Sequence, residues 1–123
     1  MEPLVILLVD DEPDLGATCE RLLRREGYAV VVCGTRRAAL AVLRERPLHL
    51  LVSDIRLPDG DGLELVRAAR GLVPAVPSIV TTGYPSPSGR DAALGAGATA
   101  YLPKPFSAGA FVGAVERILG RAS

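Results

Sequence analysis

The chain has 123 residues, 49% of them hydrophobic and 23% charged, with a formal net charge of zero and a sequence pI of about 6.6. That length suits a single domain over residues 1–123, and the apolar share excludes a disordered chain. The charge balance leaves no footprint for direct nucleic acid binding or an anionic membrane surface, and the longest apolar runs, such as Leu4–Val9, fall far short of the ~20 residues that cross a bilayer.

A continuously apolar first strand is predicted at Val5–Val9. A helix follows from about Pro13 to Glu26, with Leu15, Cys19, Leu22 and Leu23 at helical spacing. Asp11 or Glu12 can cap it, Pro13 suits its first position and Gly27 stops it. The second strand is Tyr28–Val32. The second helix is Arg36–Arg46, capped by Thr35 and ended by Pro47. The third strand, Leu48–Ser53, ends at Asp54. After a loop holding Pro58, Gly60 and Gly62 comes a helix over Leu63–Leu72. The fourth strand is Ser78–Thr82. The Gly-, Pro- and Ser-rich stretch Gly83–Gly97 is expected to hold only a short helix around Arg90–Ala96. Thr99–Leu102 is the fifth strand. Ala108–Leu119 is the last helix, capped by Ser107 and stopped by Gly120.

Cys19 and Cys33 lack metal-type spacing and read as small buried hydrophobes in a reducing compartment. His49, the single histidine, reads as structure at the start of a strand. Together with the absence of a visible secretory leader, these features point to a cytoplasmic protein and away from zinc or Ser–His and Cys–His chemistry.

Unbroken apolar strands alternating with helices predict an α/β fold: a doubly wound, five-stranded parallel sheet with five helices on two faces. Right-handed crossovers leave few topologies, and the flavodoxin-like order 2-1-3-4-5 is a common one. In that order the chemistry gathers at one sheet edge. Strand one ends in Asp10–Asp11–Glu12, strand three in Asp54, strand four in Thr81–Thr82, and strand five leads to Lys104. Carboxylates ~4 Å apart repel by about 4 kcal/mol at an effective dielectric of 20. A hard divalent ion such as Mg²⁺ together with Lys104 balances three of them. A phosphoryl group fits such a site. Lys104 is the one lysine among 14 basic residues, and an ammonium is a compact point charge where a guanidinium is a planar fork.

The chain resembles the receiver domains of two-component response regulators. The matching pieces are Ile6–Glu12, Asp54 followed by Leu57–Gly62, Val80–Gly83, Gly97–Ala98 and Tyr101–Phe106. The resemblance implies that Asp54 is the phosphoacceptor, taking the group from the phosphohistidine of a sensor histidine kinase or phosphotransfer protein. It implies that Asp11 binds Mg²⁺ (or Mn²⁺) directly, Asp10 mostly through water, with Asp54 and the main-chain carbonyl of Arg56 completing the set. Thr82 and Lys104 then hold phosphoryl oxygens, and Tyr101 turns inward once Thr82 moves. Thr82 takes the switch role, lying 22 residues before Lys104 as in relatives, while Thr81 points to the opposite face. The Lys104–Pro105 bond is cis in that family.

The expected function is therefore a signalling domain that promotes its own phosphorylation and dephosphorylation, acting on an output domain or a downstream protein. Phosphorylation-dependent dimerisation is compatible with it. Ala100, however, stands where relatives with winged-helix outputs often carry an acidic residue, so their dimer mode is not supported. Arg56, Gly83 and Tyr84 also depart from the common pattern. Arg56 can contact the phosphoryl group or screen the attacking water, and Tyr84 can cover the site. Two other readings remain: a receiver-like interaction module that works without phosphate, and a magnesium-dependent aspartyl phosphatase. The second lacks its usual Asp-x-Asp at strand one and a cap domain.

Overall fold

The computed structural model describes residues 2–120. The first strand is β1 (Val5–Val9), followed by α1 (Pro13–Arg25), β2 (Ala29–Cys33), α2 (Arg36–Glu45) and β3 (Leu50–Asp54). Two short strands, β4 (Arg56–Leu57) and β5 (Gly60–Asp61), precede α3 (Leu63–Arg70). The chain continues through β6 (Ser78–Thr82), α4 (Pro87–Ala96), β7 (Ala100–Pro103) and α5 (Ala108–Leu119). Residues 1 and 121–123 of the expected 1–123 unit lie outside the described residues.

Five parallel strands form one sheet in the order β2-β1-β3-β6-β7. Counting only these five, that is the expected 2-1-3-4-5. The registers Val9 with Ser53, Asp54 with Thr81 and Thr82 with Pro103 bring the carboxyl ends level. The fold is the flavodoxin-like one, with the crevice where the chain leaves β1 and β3.

Alternation along each strand feeds two cores. Ile6, Leu8, Leu50, Val52 and Ile79 meet Cys19 and Leu23 of α1 and Phe111 and Val115 of α5. Leu7, Val9, Leu51 and Val80 meet Leu43 of α2, Leu65 and Val66 of α3 and Ala93 of α4. Leu23 and Phe111 are wholly buried, and each such side chain contributes about 1.5–3 kcal/mol. Phe106 stacks on Phe111 at 5.3 Å.

Several boundaries differ from the sequence reading. β2 starts at Ala29 and β3 at Leu50, where pairing with Val5 and Ile6 of β1 begins; Tyr28 and Leu48 are buried just before the ladder. β7 is shifted by one residue to Ala100–Pro103. α4 begins at Pro87, three residues before the expected Arg90, since the Ser86 hydroxyl accepts the Gly89 N–H at 2.9 Å and Pro87 needs no donor there. The small antiparallel β4–β5 hairpin was not anticipated. Glu12 occupies the N-cap of α1, but its side chain makes no cap bond. His49 is structural: its Nδ1 accepts the Val5 N–H at 2.9 Å.

Candidate functional site

Asp10 follows the last paired residue of β1, Asp54 closes β3, and Lys104 follows the last paired residue of β7. The Lys104 N–H donates to the Thr82 carbonyl at 2.7 Å, which fixes where its side chain starts. The stem then crosses the sheet edge. Nζ donates to Asp54 Oδ2 at 2.8 Å, Asp10 Oδ2 at 3.1 Å and Glu12 Oε1 at 2.8 Å. All three ammonium donors are thus used. The Lys104, Asp10 and Asp54 side chains are 10%, 6% and 10% exposed, whereas Glu12 is 60% exposed.

One ammonium does not satisfy this group. Burial opposes the charge on Lys104, yet its hydrogen bonds to Asp54, Glu12 and Asp10 outweigh burial and raise its pKa above the usual lysine value. Burial pushes the Asp10 carboxyl up, against the lowering effects of the Glu12 N–H and Lys104. Asp10, Glu12 and Asp54 each place a carboxylate oxygen within 4.8 Å of the others. An all-oxygen, anionic donor set at this spacing suits a hard divalent cation.

The structure brings Asp10, Asp54, Lys104 and Glu12 into direct contact. The sequence reading offered Glu12 as a cap of α1 and gave it no role at the site; its side chain makes no cap bond and pairs with Lys104 instead. Asp11 stands apart from the lysine and is exposed; it lines a cavity of about 210 Å³ with Asp54, Arg56, Thr82 and Tyr84. The Arg56 N–H reaches Asp54 Oδ1 at 3.4 Å. Its guanidinium carbon lies 4.8 Å from the centre of the Tyr84 ring, so a cation–π contact joins two residues that line this cavity. Thr82 is buried, and its Oγ1 accepts the Tyr84 N–H at 3.0 Å. Thr81 is also buried, one residue along the strand and on the opposite face. Tyr101 is half-buried; its hydroxyl accepts the Ser86 N–H at 3.3 Å, and it lines a cavity of about 570 Å³ with Thr82 and Ala92. The Lys104–Pro105 peptide bond is cis.

Gly62 makes this layout possible. A Cβ there would run into the Asp54 carbonyl oxygen, so only glycine lets the β4–β5 hairpin fold back onto the end of β3.

The sequence model of the Response regulator receiver domain family matches residues 6–116. The chain therefore belongs to that family, the receiver domains of two-component response regulators. The transcriptional regulatory protein TrcR of Mycobacterium tuberculosis is 37% identical over 121 residues, which are 98% of this chain and 47% of that protein. The probable transcriptional regulatory protein TcrX of the same species is 35% identical over 106 residues, 86% of this chain and 45% of that protein. The chain thus spans about half the length of these curated relatives. The crystal structure of a CheY-like receiver domain protein from Methanospirillum hungatei superposes with a TM-score of 0.91 at 33% identity, covering 97% of this chain and 95% of that one. Among the described residues no helix is long and apolar enough to cross a membrane.

Proposed function

We propose that this receiver domain accepts a phosphoryl group on Asp54 from a histidine kinase or phosphotransfer protein and passes the signal to an output domain or partner protein. The observation that carries this reading is the single ammonium shared by Asp54, Asp10 and Glu12 at the crevice of the sheet. Such a cluster is anionic enough to recruit a cation and already holds a donor suited to a phosphoryl oxygen.

Asp10, Asp11, Asp54 and the carbonyl of Arg56 would hold the cation. Bound Mg²⁺ or Mn²⁺ would offset carboxylate charge and the charge developing on the phosphoryl oxygens. Asp54 is the nucleophile. Its carboxylate oxygen forms a bond to phosphorus as the phosphorus–nitrogen bond of the phosphohistidine breaks, and the electron pair leaves with the imidazole nitrogen. Lys104, released from Asp54 Oδ2, follows the new negative charge and donates to a phosphoryl oxygen. The Thr82 hydroxyl accepts from Tyr84, so its own proton is free to be donated. As Thr82 turns toward the phosphoryl group, Tyr101 gives up the Ser86 N–H and rotates into the cavity beside Ala92. Hydrolysis of the acyl phosphate by water resets the domain.

The test is labelling by acetyl phosphate with Mg²⁺, read by intact mass and site mapping. A gain of one phosphoryl group on Asp54, absent in Asp54→Asn and absent with chelator, is expected. Labelling at normal yield in Asp54→Asn refutes the acceptor, and no labelling of the wild type favours an interaction module that works without phosphate.

A further inference from the structure

Three contacts outside the acidic cluster tie the β4–β5 hairpin to α2, a helix it does not adjoin in sequence, and a fourth ties α2 to the start of α3. The Arg36 and Arg37 N–H groups, the first two of α2, donate to Asp59 Oδ1 at 2.7 Å and Oδ2 at 2.9 Å. Arg36 reaches back across the hairpin: Nε lies 3.5 Å from the Asp59 carbonyl oxygen, and Nη1 pairs with Glu64 at 2.6 Å. Gly60 lies flat beneath that side chain, where a Cβ would sit 2.6 Å from Nε.

The other end of the hairpin is anchored at the sheet. Ile55 donates to the Thr81 carbonyl at 2.9 Å, and Gly62 donates to the Ile55 carbonyl at 2.8 Å. Between these anchors the hairpin has only two pairs, Arg56 with Asp61 and Leu57 with Gly60. A ribbon that short does not hold its own shape in water, and Arg56 is exposed. Its tip therefore needs an outside restraint, and the bonds from the start of α2 to Asp59, at that tip, supply it.

We propose that Asp59 and Arg36 form a latch that positions the Arg56 carbonyl, and with it the cation, at the phosphorylation site. This inference rests on the phosphoacceptor reading. Asp59 acts through the hairpin and touches neither cation nor phosphoryl group, so it is a positioning residue. α2 does not depend on it alone, because the Thr35 hydroxyl already caps the Ala38 N–H at 3.2 Å. Thr35 thus serves as a control: its loss weakens the same helix end without touching the hairpin.

The experiment uses the ¹⁵N-labelled chain as wild type, Asp59→Ala and Thr35→Ala. Amide hydrogen exchange is read without metal, and Mn²⁺ affinity is read by electron paramagnetic resonance. Asp59→Ala is expected to speed exchange at Ile55 and Gly62 and to weaken Mn²⁺ binding roughly ten-fold, the scale on which supporting residues act at metal sites. Thr35→Ala should do neither. If Asp59→Ala does not fold, Asp59→Asn, which keeps one acceptor, should show a smaller loss of both. Unchanged exchange at Ile55 and Gly62 overturns the latch whether or not the chain binds Mn²⁺. Equal losses in Thr35→Ala reduce Asp59 to a helix cap and overturn the positioning role. A wild type that binds no Mn²⁺ overturns the metal-dependent reading and the use assigned to the latch, while the exchange data still report on the latch itself.

Discussion

Replacing Lys104 by methionine keeps most of the apolar stem and removes the ammonium from three carboxylates. The lost contacts are 2.8, 3.1 and 2.8 Å long. Taking one partner from a buried pair typically costs about 3–5 kcal/mol, because the other is left buried and unpaired. Glu12 is too exposed to add much, since solvent screens it. Asp10 already binds its proton more readily than a free carboxyl, because it is buried, and it can neutralise part of the excess charge. The expected loss in chelator at neutral pH is then about 2–4 kcal/mol, below the full figure for an unrelieved buried charge. With a urea slope near 2 kcal/mol/M, the unfolding midpoint falls by about 1–2 M. Mg²⁺ at about a hundred times its dissociation constant returns about 2.7 kcal/mol to any site that binds it only when folded. The variant, with its carboxylates unpaired, should gain more from Mg²⁺ than the wild type does. Urea unfolding followed by circular dichroism, with chelator and with Mg²⁺, measures both effects. A loss under ~1 kcal/mol in chelator would refute the view that Lys104 holds the metal-free cluster together.

Gly62→Ala places a methyl group against the Asp54 carbonyl, where only backbone can give way. A loss of about 3 kcal/mol is expected in denaturant titration, and a loss within error would contradict the close approach. Arg56→Asn removes the cation–π contact to Tyr84, worth about 0.5–1 kcal/mol at an exposed position, so the phosphate on Asp54 should decay about two- to five-fold faster. Decay of the labelled protein followed by mass spectrometry checks this, and an unchanged rate counts against shielding of Asp54 by Arg56 and Tyr84. The Asp59 carboxyl is held below its ordinary value of 3.8 by the Arg37 and Arg36 N–H groups. A depressed folded pKa gives stability that is complete above the unfolded value and fades as pH falls through the folded one. The difference in melting temperature between wild type and Asp59→Asn should therefore be full at neutral pH and shrink below about pH 4. A gap that stays constant through acid would show that the carboxylate charge is not involved.

The sheet was legible because its strands are unbroken apolar runs, and such runs are buried on both faces. Handedness left few strand orders, and a common one among them is the order found. Asp10, Asp54, Thr82 and Lys104 could be brought to one edge from strand ends alone. What escaped was non-local or masked by composition. The Asp59 carboxylate serves a helix start 23 residues earlier in the chain, which no window along the sequence reveals. The β4–β5 hairpin has too few residues for an alternating pattern. In α4, the glycines and prolines hid a start signal of the kind recognised at Ser107 and at Pro13: a serine cap before a proline at the first helical position. Glu12 read as one more acidic residue at a helix start. Whether it faces the helix or the crevice depends on the angle at which α1 leaves the sheet, which is a tertiary quantity.

Lys104 is also the only side-chain amine in the molecule. Selective ¹⁵N-lysine labelling therefore gives one ammonium signal, and that signal sits at the crevice. Its exchange with water should be slow while three carboxylates grip it and should change as the grip passes to another anion. A single resonance then follows occupancy of the site in real time, with no fluorophore attached and no tryptophan introduced.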